Sequence, residues 1–197
     1  TQFVTGAILR AVPDTLDFYS SDYVRNDNYE YQSYIHAVEL SRVGFELADP
    51  IITLNTQEKF NVGFDDLQGS FKQYYYQIIH CTANWEKSEI WTNEYLDGQE
   101  EEQVENYEPS FNTRTTYTHY DFQFPNDRFI IKKSGNYVLL VYSRDEKGNE
   151  VNAFTRRFRV VDPKVSVSAT IGRAGTSEDY ETNQEVDFVI NTSGLRV

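Results

Sequence analysis

Residues 134–161, SGNYVLLVYSRDEKGNEVNAFTRRFRVV, constrain the fold of this chain more than any other stretch. Side chains alternate along a strand, so Val138, Leu140 and Tyr142 face one side and Tyr137, Leu139 and Val141 the other. Gly148-Asn149 supplies turn chemistry, because both residues tolerate positive φ. Phe154 to Val161 then runs back, completing a β-hairpin. A tyrosine after Ser-Gly-Asn, entering a strand with apolar residues on both faces, is the pattern of the penultimate strand of an immunoglobulin-like sandwich. There the Tyr hydroxyl returns to the backbone at the sheet corner. The expected class is therefore all-β, an immunoglobulin-like β-sandwich, and such modules bind or build more often than they catalyse.

Composition agrees with that class. Of 197 residues, 15 are Tyr and 13 Phe, types that fit pleated, half-buried surfaces. The net charge of −13 sets the chain against phosphate backbones, and no Lys/Arg stripe stands out, so nucleic acid is not an expected partner. Anionic membrane surfaces are disfavoured for the same reason. No apolar run approaches the roughly 20 residues of a membrane-spanning helix, so direct membrane insertion is not expected. The lone Cys81 excludes an intrachain disulfide. Thr1 in a chain without Met reads as a processed terminus, which fits a removed signal peptide.

Three regions follow from the patterning. Residues 1–33 are polar and tyrosine-rich and read as an N-terminal arm with at most one short strand, Gly6–Ala11. Residues 34–162 read as the sandwich domain. Ile35, Ala37 and Glu39 are placed on one face of its first strand and Val38 and Leu40 on the other. Pro50 opens an edge strand, Ile51–Leu54. Phe60, Val62 and Phe64 alternate with Asn61 and Gly63, and Asp65 to Gly69 is read as a turn. Tyr74 to Cys81, apolar on both faces, is expected to be a central strand. Glu86 to Glu108 holds nine carboxylates against Lys87 and is read as an exposed connection with at most a short helical turn. Thr116 to Phe124 alternates again and ends at Pro125-Asn126-Asp127. Residues 163–197 read as a linker and the first strands of a second β domain, with Val165, Val167, Ala169 and Ile171, then Val186, Phe188 and Ile190, alternating.

No constellation for catalysis stands out. His36, His80 and His119 fall in different strands and show no metal-ligand spacing, so they read as isolated histidines. His80 and Cys81 are adjacent on a strand and point to opposite faces, which rules out a dyad between them. Cys81 reads as a small buried apolar residue. Asp65-Asp66 and the acidic segment read as solvated, because the calcium-loop spacing is absent. No phosphate loop and no nucleophile elbow occurs. The expected catalytic, cofactor and metal residues are none. Trp85, close behind the central strand, is expected in the core. Trp91 and Tyr95, aromatic residues among acids, are the candidate protein-binding residues.

Several motifs in order carry a family resemblance. FDDLQGSFKQYYYQIIHCTANWEKSEI, NEYLDG, SFNTRTTYTHYDFQFPND, KKSGNYVLLVY, TRRFRVV and EVDFVINTSGLRV resemble the N-terminal region of the Bacteroidetes type IX secretion system plug protein family. The likeness runs from about Ile35 to the end; Gln99 departs from the aromatic that commonly follows Glu-Tyr-Leu-Asp-Gly. Family members are longer, so only the front half is matched. The resemblance implies a non-enzymatic, exported protein without cofactor. It implies a periplasmic place at the inner face of the outer membrane. The implied partner is the outer-membrane translocon barrel, whose periplasmic mouth the protein plugs. Two rivals are a carbohydrate-binding or adhesion module stacking sugars on Trp91, Tyr95 and Tyr107, and a metallohydrolase using the histidines. An exposed, aligned row of rings would favour the first; histidines far apart in space would end the second.

Overall fold

The computed structural model describes residues 23–176, 178 and 180–192. In chain order the elements are β1 (Tyr29–Glu30), β2 (Ile35–Arg42), β3 (Ile51–Thr53), β4 (Phe60–Asp66), β5 (Tyr74–Cys81) and the helical turn α1 (Thr92–Tyr95). There follow β6 (Leu96–Gly98), β7 (Glu102–Gln103), β8 (Asn106–Pro109), β9 (Thr118–Phe124), β10 (Phe129–Ile131), β11 (Gly135–Arg144), β12 (Glu150–Val161), β13 (Ser166–Arg173) and β14 (Gln184–Asn191). The protein is all-β.

Two sheets form the sandwich. One has the order β1-β12-β11-β5-β7, with β3 pairing in parallel on the same edge of β12 as β1; the other is β2-β4-β9-β8. The sheets meet through aromatic rings, because alternation sends every second large side chain inward. Phe60 of β4 lies 5.0 Å from Phe158 of β12, Phe64 lies 5.1 Å from Phe154, and Tyr76 of β5 stacks on Phe122 of β9 at 4.3 Å. Tyr76, Ile78, Leu139, Val141 and Phe158 are all buried.

The hairpin anticipated from sequence is β11–β12, paired from Gly135↔Val160 to Arg144↔Glu150 with a bulge between Val141 and Tyr142. Its turn is anchored by Asp145. The Asp145 Oδ1 accepts from the amides of Lys147 and Asn149, each at 2.8 Å, while Gly148 takes φ +83°. The Tyr137 hydroxyl donates to the Lys133 carbonyl at 2.6 Å, the corner bond its position predicts. Both faces of β11 are buried. The outer face is strapped by the arm: Thr155, opposite Leu140, donates its hydroxyl to the Asp27 carbonyl at 2.7 Å. Arg157, opposite Val138, donates Nε to the Asn26 carbonyl at 2.5 Å. The arm thus contributes a strand, β1, within a stretch whose residues show no sustained alternation. The strand expected at Gly6–Ala11 lies outside the described residues.

Three local expectations need correction. The simple alternation along β2 is broken by a bulge: pairing passes from His36↔Asp65 to Glu39↔Gly63, with Ala37 at φ +48°. One inserted residue shifts the phase, so Ile35, Val38 and Leu40 all pack against the core. Asp65 and Asp66 are in β4, and the turn begins at Leu67. Asp66 is buried rather than solvated. It accepts from the Tyr74 hydroxyl at 2.9 Å and the Gln68 amide at 2.8 Å and pairs with Lys72 Nζ at 3.0 Å. Finally, β5 is flanked by β11 along its whole length but by β7 only at Tyr75 and Tyr76.

Beyond the sandwich, β13 and β14 pair with each other, and register puts Val167, Ala169, Ile171, Val186, Phe188 and Ile190 on one face. That face is open among the described residues, with Phe188 65% exposed.

Leu139 has no exposed surface and lies between β5 and β12. Leu139→Ala is expected to cost about 2–5 kcal/mol in chemical unfolding. A loss below about 0.5 kcal/mol would show that the strand contributes little to the core.

Candidate docking surface

The acidic segment from Glu86 to Glu108 differs from the exposed connection its charges suggest. After β5 the chain turns through Trp85, which sits at φ +65° outside the core, its ring half-buried under the Arg157 guanidinium at 4.4 Å. This corrects the core placement expected for Trp85. The Trp91 amide donates to Glu94 Oε1 at 2.9 Å, which starts α1. The turn then aims Tyr95 inward. Its hydroxyl donates to the Ile78 carbonyl at 3.2 Å, and its ring packs beside His80 and Tyr137. Tyr95 is buried, so it is a core residue and not a contact residue; Trp91 is 79% exposed.

The rest of the segment is pinned to the sandwich. β6 pairs with β10, and the backbone approaches so closely that a side chain at Gly98 (φ +99°) would place Cβ 2.1 Å from the Arg128 carbonyl oxygen. Glu102 of β7 is buried. It accepts from the Tyr76 hydroxyl at 2.8 Å and Asn126 Nδ2 at 2.6 Å, with Arg128 Nε at 3.1 Å. Val104 is buried and its amide donates to the Tyr74 carbonyl at 2.9 Å. Glu102 and Val104 point in on either side of exposed Gln103, while Glu100, Glu105 and Glu108 remain in solvent.

Trp91 stands at the rim of an open groove of about 620 Å³, whose lining includes Tyr23, Ile79, His80, Lys87 and Ile90. His80 Nδ1 lies 2.8 Å from Ser88 Oγ. Burial holds the His80 imidazole below its ordinary range, with Lys133 acting in the same direction and a bond to the Ser134 backbone opposing. Burial also pushes the Cys81 thiol up to about 11, so it is protonated at neutral pH and unsuited to nucleophilic work.

The histidines divide between the sheets. His36 and His119 each pair across a strand with Asp65, and His119 Nδ1 lies 2.7 Å from Asp65 Oδ1; His80 belongs to the other sheet. Among the described residues no group of three or more His, Cys, Asp or Glu has the geometry to hold a metal ion. The aromatic platform does not assemble either. Tyr95 is buried, and Tyr107 packs on Phe71 at 4.6 Å at the β8 edge, in the other sheet from the Trp91 groove.

Comparison with known proteins supplies the family. The sequence model described as "Type 9 secretion system plug protein 1st domain" matches residues 35–162. The chain belongs to this family. A similar solved structure is the crystal structure of a hypothetical protein from Parabacteroides merdae ATCC 43184, with 30% identity and a TM-score of 0.71 over 87% of this chain. The match spans 43% of that protein's length. A Pseudomonas fluorescens alkylpurine DNA glycosylase, AlkC, bound to DNA containing an abasic site analog, matches at 9% identity and a TM-score of 0.30. That match covers 64% of this chain and 29% of the glycosylase, too weak to bear on fold or function. Among curated proteins, none matches.

Two outcomes separate the aromatic residues. Tyr95→Ala is expected to destabilise the fold by about 3–5 kcal/mol in chemical unfolding, as for other buried aromatic truncations. Trp91→Ala is expected to stay within about 0.5 kcal/mol of the parent. The depressed His80 pKa gives a pH dependence with a defined sign. The unfolded chain takes up a proton near pH ~6.5 that the folded chain resists. The unfolded state therefore binds more protons, and stability falls as pH drops below about 6.5. Thermal unfolding at about pH 7.5 and about pH 5.5 should show a smaller drop for His80→Gln than for the parent; an equal drop would remove His80 from the account.

Proposed function

We propose that this chain is the front part of a non-enzymatic periplasmic protein that closes the periplasmic mouth of the type IX outer-membrane translocon. The observation that carries the proposal is the family match over residues 35–162, which ties the chain to type IX secretion through a domain described as a plug. An immunoglobulin-like reading of the sandwich goes with it. It is supported by the order β2-β4-β9-β8 facing β12-β11-β5-β7 and by the Tyr137 corner bond.

The mechanism is steric. A plug must resist deformation when solutes press on it, and close-packed interiors have low compressibility. The aromatic inter-sheet contacts and the two internally bonded carboxylates, Asp66 and Glu102, suit that demand. Among the described residues no helix is long and apolar enough to cross a membrane. Exposed Trp91, set among surface carboxylates, is one point of protein contact.

A protein that only blocks a pore is dispensable for secretion and needed for the barrier. Deleting the gene should admit normally excluded large antibiotics or dyes across the outer membrane while secretion continues at least in part. Unchanged permeability, with the translocon present at its normal level, would sink the plug reading.

A further inference from the structure

The loop between β2 and β3 holds three apolar side chains in the open. Val43 is 45% exposed, Phe45 56% and Leu47 104%, at every second position. Burying such surface is worth about 25 cal/mol per Å², so leaving it wet is a standing cost. The loop is nonetheless fixed. The Val43 amide donates to the Lys59 carbonyl at 2.9 Å, Phe45 to Arg42 at 2.8 Å, Ala48 to Phe45 at 3.1 Å, and Ile51 to Asp49 at 2.7 Å. The Arg42 guanidinium lies 3.9 Å from the centre of the Phe45 ring and is itself pinned by Glu58 at 3.2 Å. Phe45 is thus propped outward from beneath, and little conformational entropy remains to be lost when the loop is covered.

The charge around the tip selects what covers it. Glu46 and Asp49 are exposed beside the apolar side chains; Arg42 is engaged under Phe45, and exposed Lys59 stands at the base of the loop, opposite Val43. An anionic lipid surface repels this arrangement. A protein pocket with an apolar floor and a Lys/Arg rim complements it. We infer that residues 43–49 form a preformed knob that inserts into an apolar, cation-rimmed pocket on a component of the secretion machinery. The inference rests on the plug reading and names a contact for it at a different place from Trp91.

The test uses the full-length protein in its native cells. Phe45→Asp with Leu47→Asp, and Leu47→Asp alone, should leave the melting temperature close to that of the parent, because the side chains are exposed. Both should lower recovery of identified type IX components by at least about tenfold. A photo-reactive residue at position 47 should crosslink to one of those components at a segment containing apolar and basic residues. Undiminished recovery by the folded variants overturns the knob. So do crosslinks confined to lipid, or to another part of the same chain, which would mean that the protein covers its own loop. If the parent itself recovers no secretion component, the docking reading and the knob fall together. A parent that recovers them beside an undiminished variant removes the knob alone.

Discussion

The contact between aromatic rings of the two sheets is the interaction on which the rest of this structure depends. Across the sheets Phe60 meets Phe158, Phe64 meets Tyr74 and Phe154, and Tyr76 meets Phe122 and Phe124. Large rings bury much apolar area and prefer edge-to-face or offset packing, so they fix both the spacing and the registration of the sheets. Neither sheet would hold its register without that shared interior, because a slip of one residue would turn every ring to solvent.

An interior built from tyrosine carries polar hydroxyls, and these need partners. Tyr74 donates a hydrogen bond to Asp66, Tyr76 to Glu102, Tyr95 to the Ile78 carbonyl and Tyr137 to the Lys133 carbonyl. The hydroxyls therefore become ties between the core and the connections. Glu102 shows the consequence: it joins β7, β5 and the turn at Asn126–Arg128, so a segment rich in carboxylates is held down by one of them. The remaining acids of that segment face water and carry the negative surface a basic partner would meet. Trp91 and the apolar side chains of the 43–49 loop are among those that remain open.

The acidic segment also shows why charge density is a poor guide to exposure. Nine carboxylates predict solvent, and most of them find it. Yet Tyr95, Leu96, Glu102 and Val104 are buried, because α1, β6 and β7 lie along the sandwich. A short strand of two or three residues gives too few alternations to stand out from its neighbours. Asp66 misleads in the same way: beside Asp65 and before Leu-Gln-Gly it reads as turn chemistry, while the fold places it opposite Ile35 and under Lys72.

The all-β class, the β11–β12 hairpin, the strand at β5, the inward rows of β4 and β9, the Tyr137 corner and the family are legible in the residues alone, because each is written in local alternation or in a contiguous motif. The rest follows from how distant segments meet. Their meeting sets the bulge that brings Ile35, Val38 and Leu40 to one side, the strapping of the arm over β11, the burial of Tyr95, and the separation of His80 from His36 and His119. These depend on which distant strands become neighbours, as Asp27 with Thr155 and Tyr95 with Ile78. Pairing between distant segments is fixed by the closing of the whole core, and no short stretch of residues encodes it.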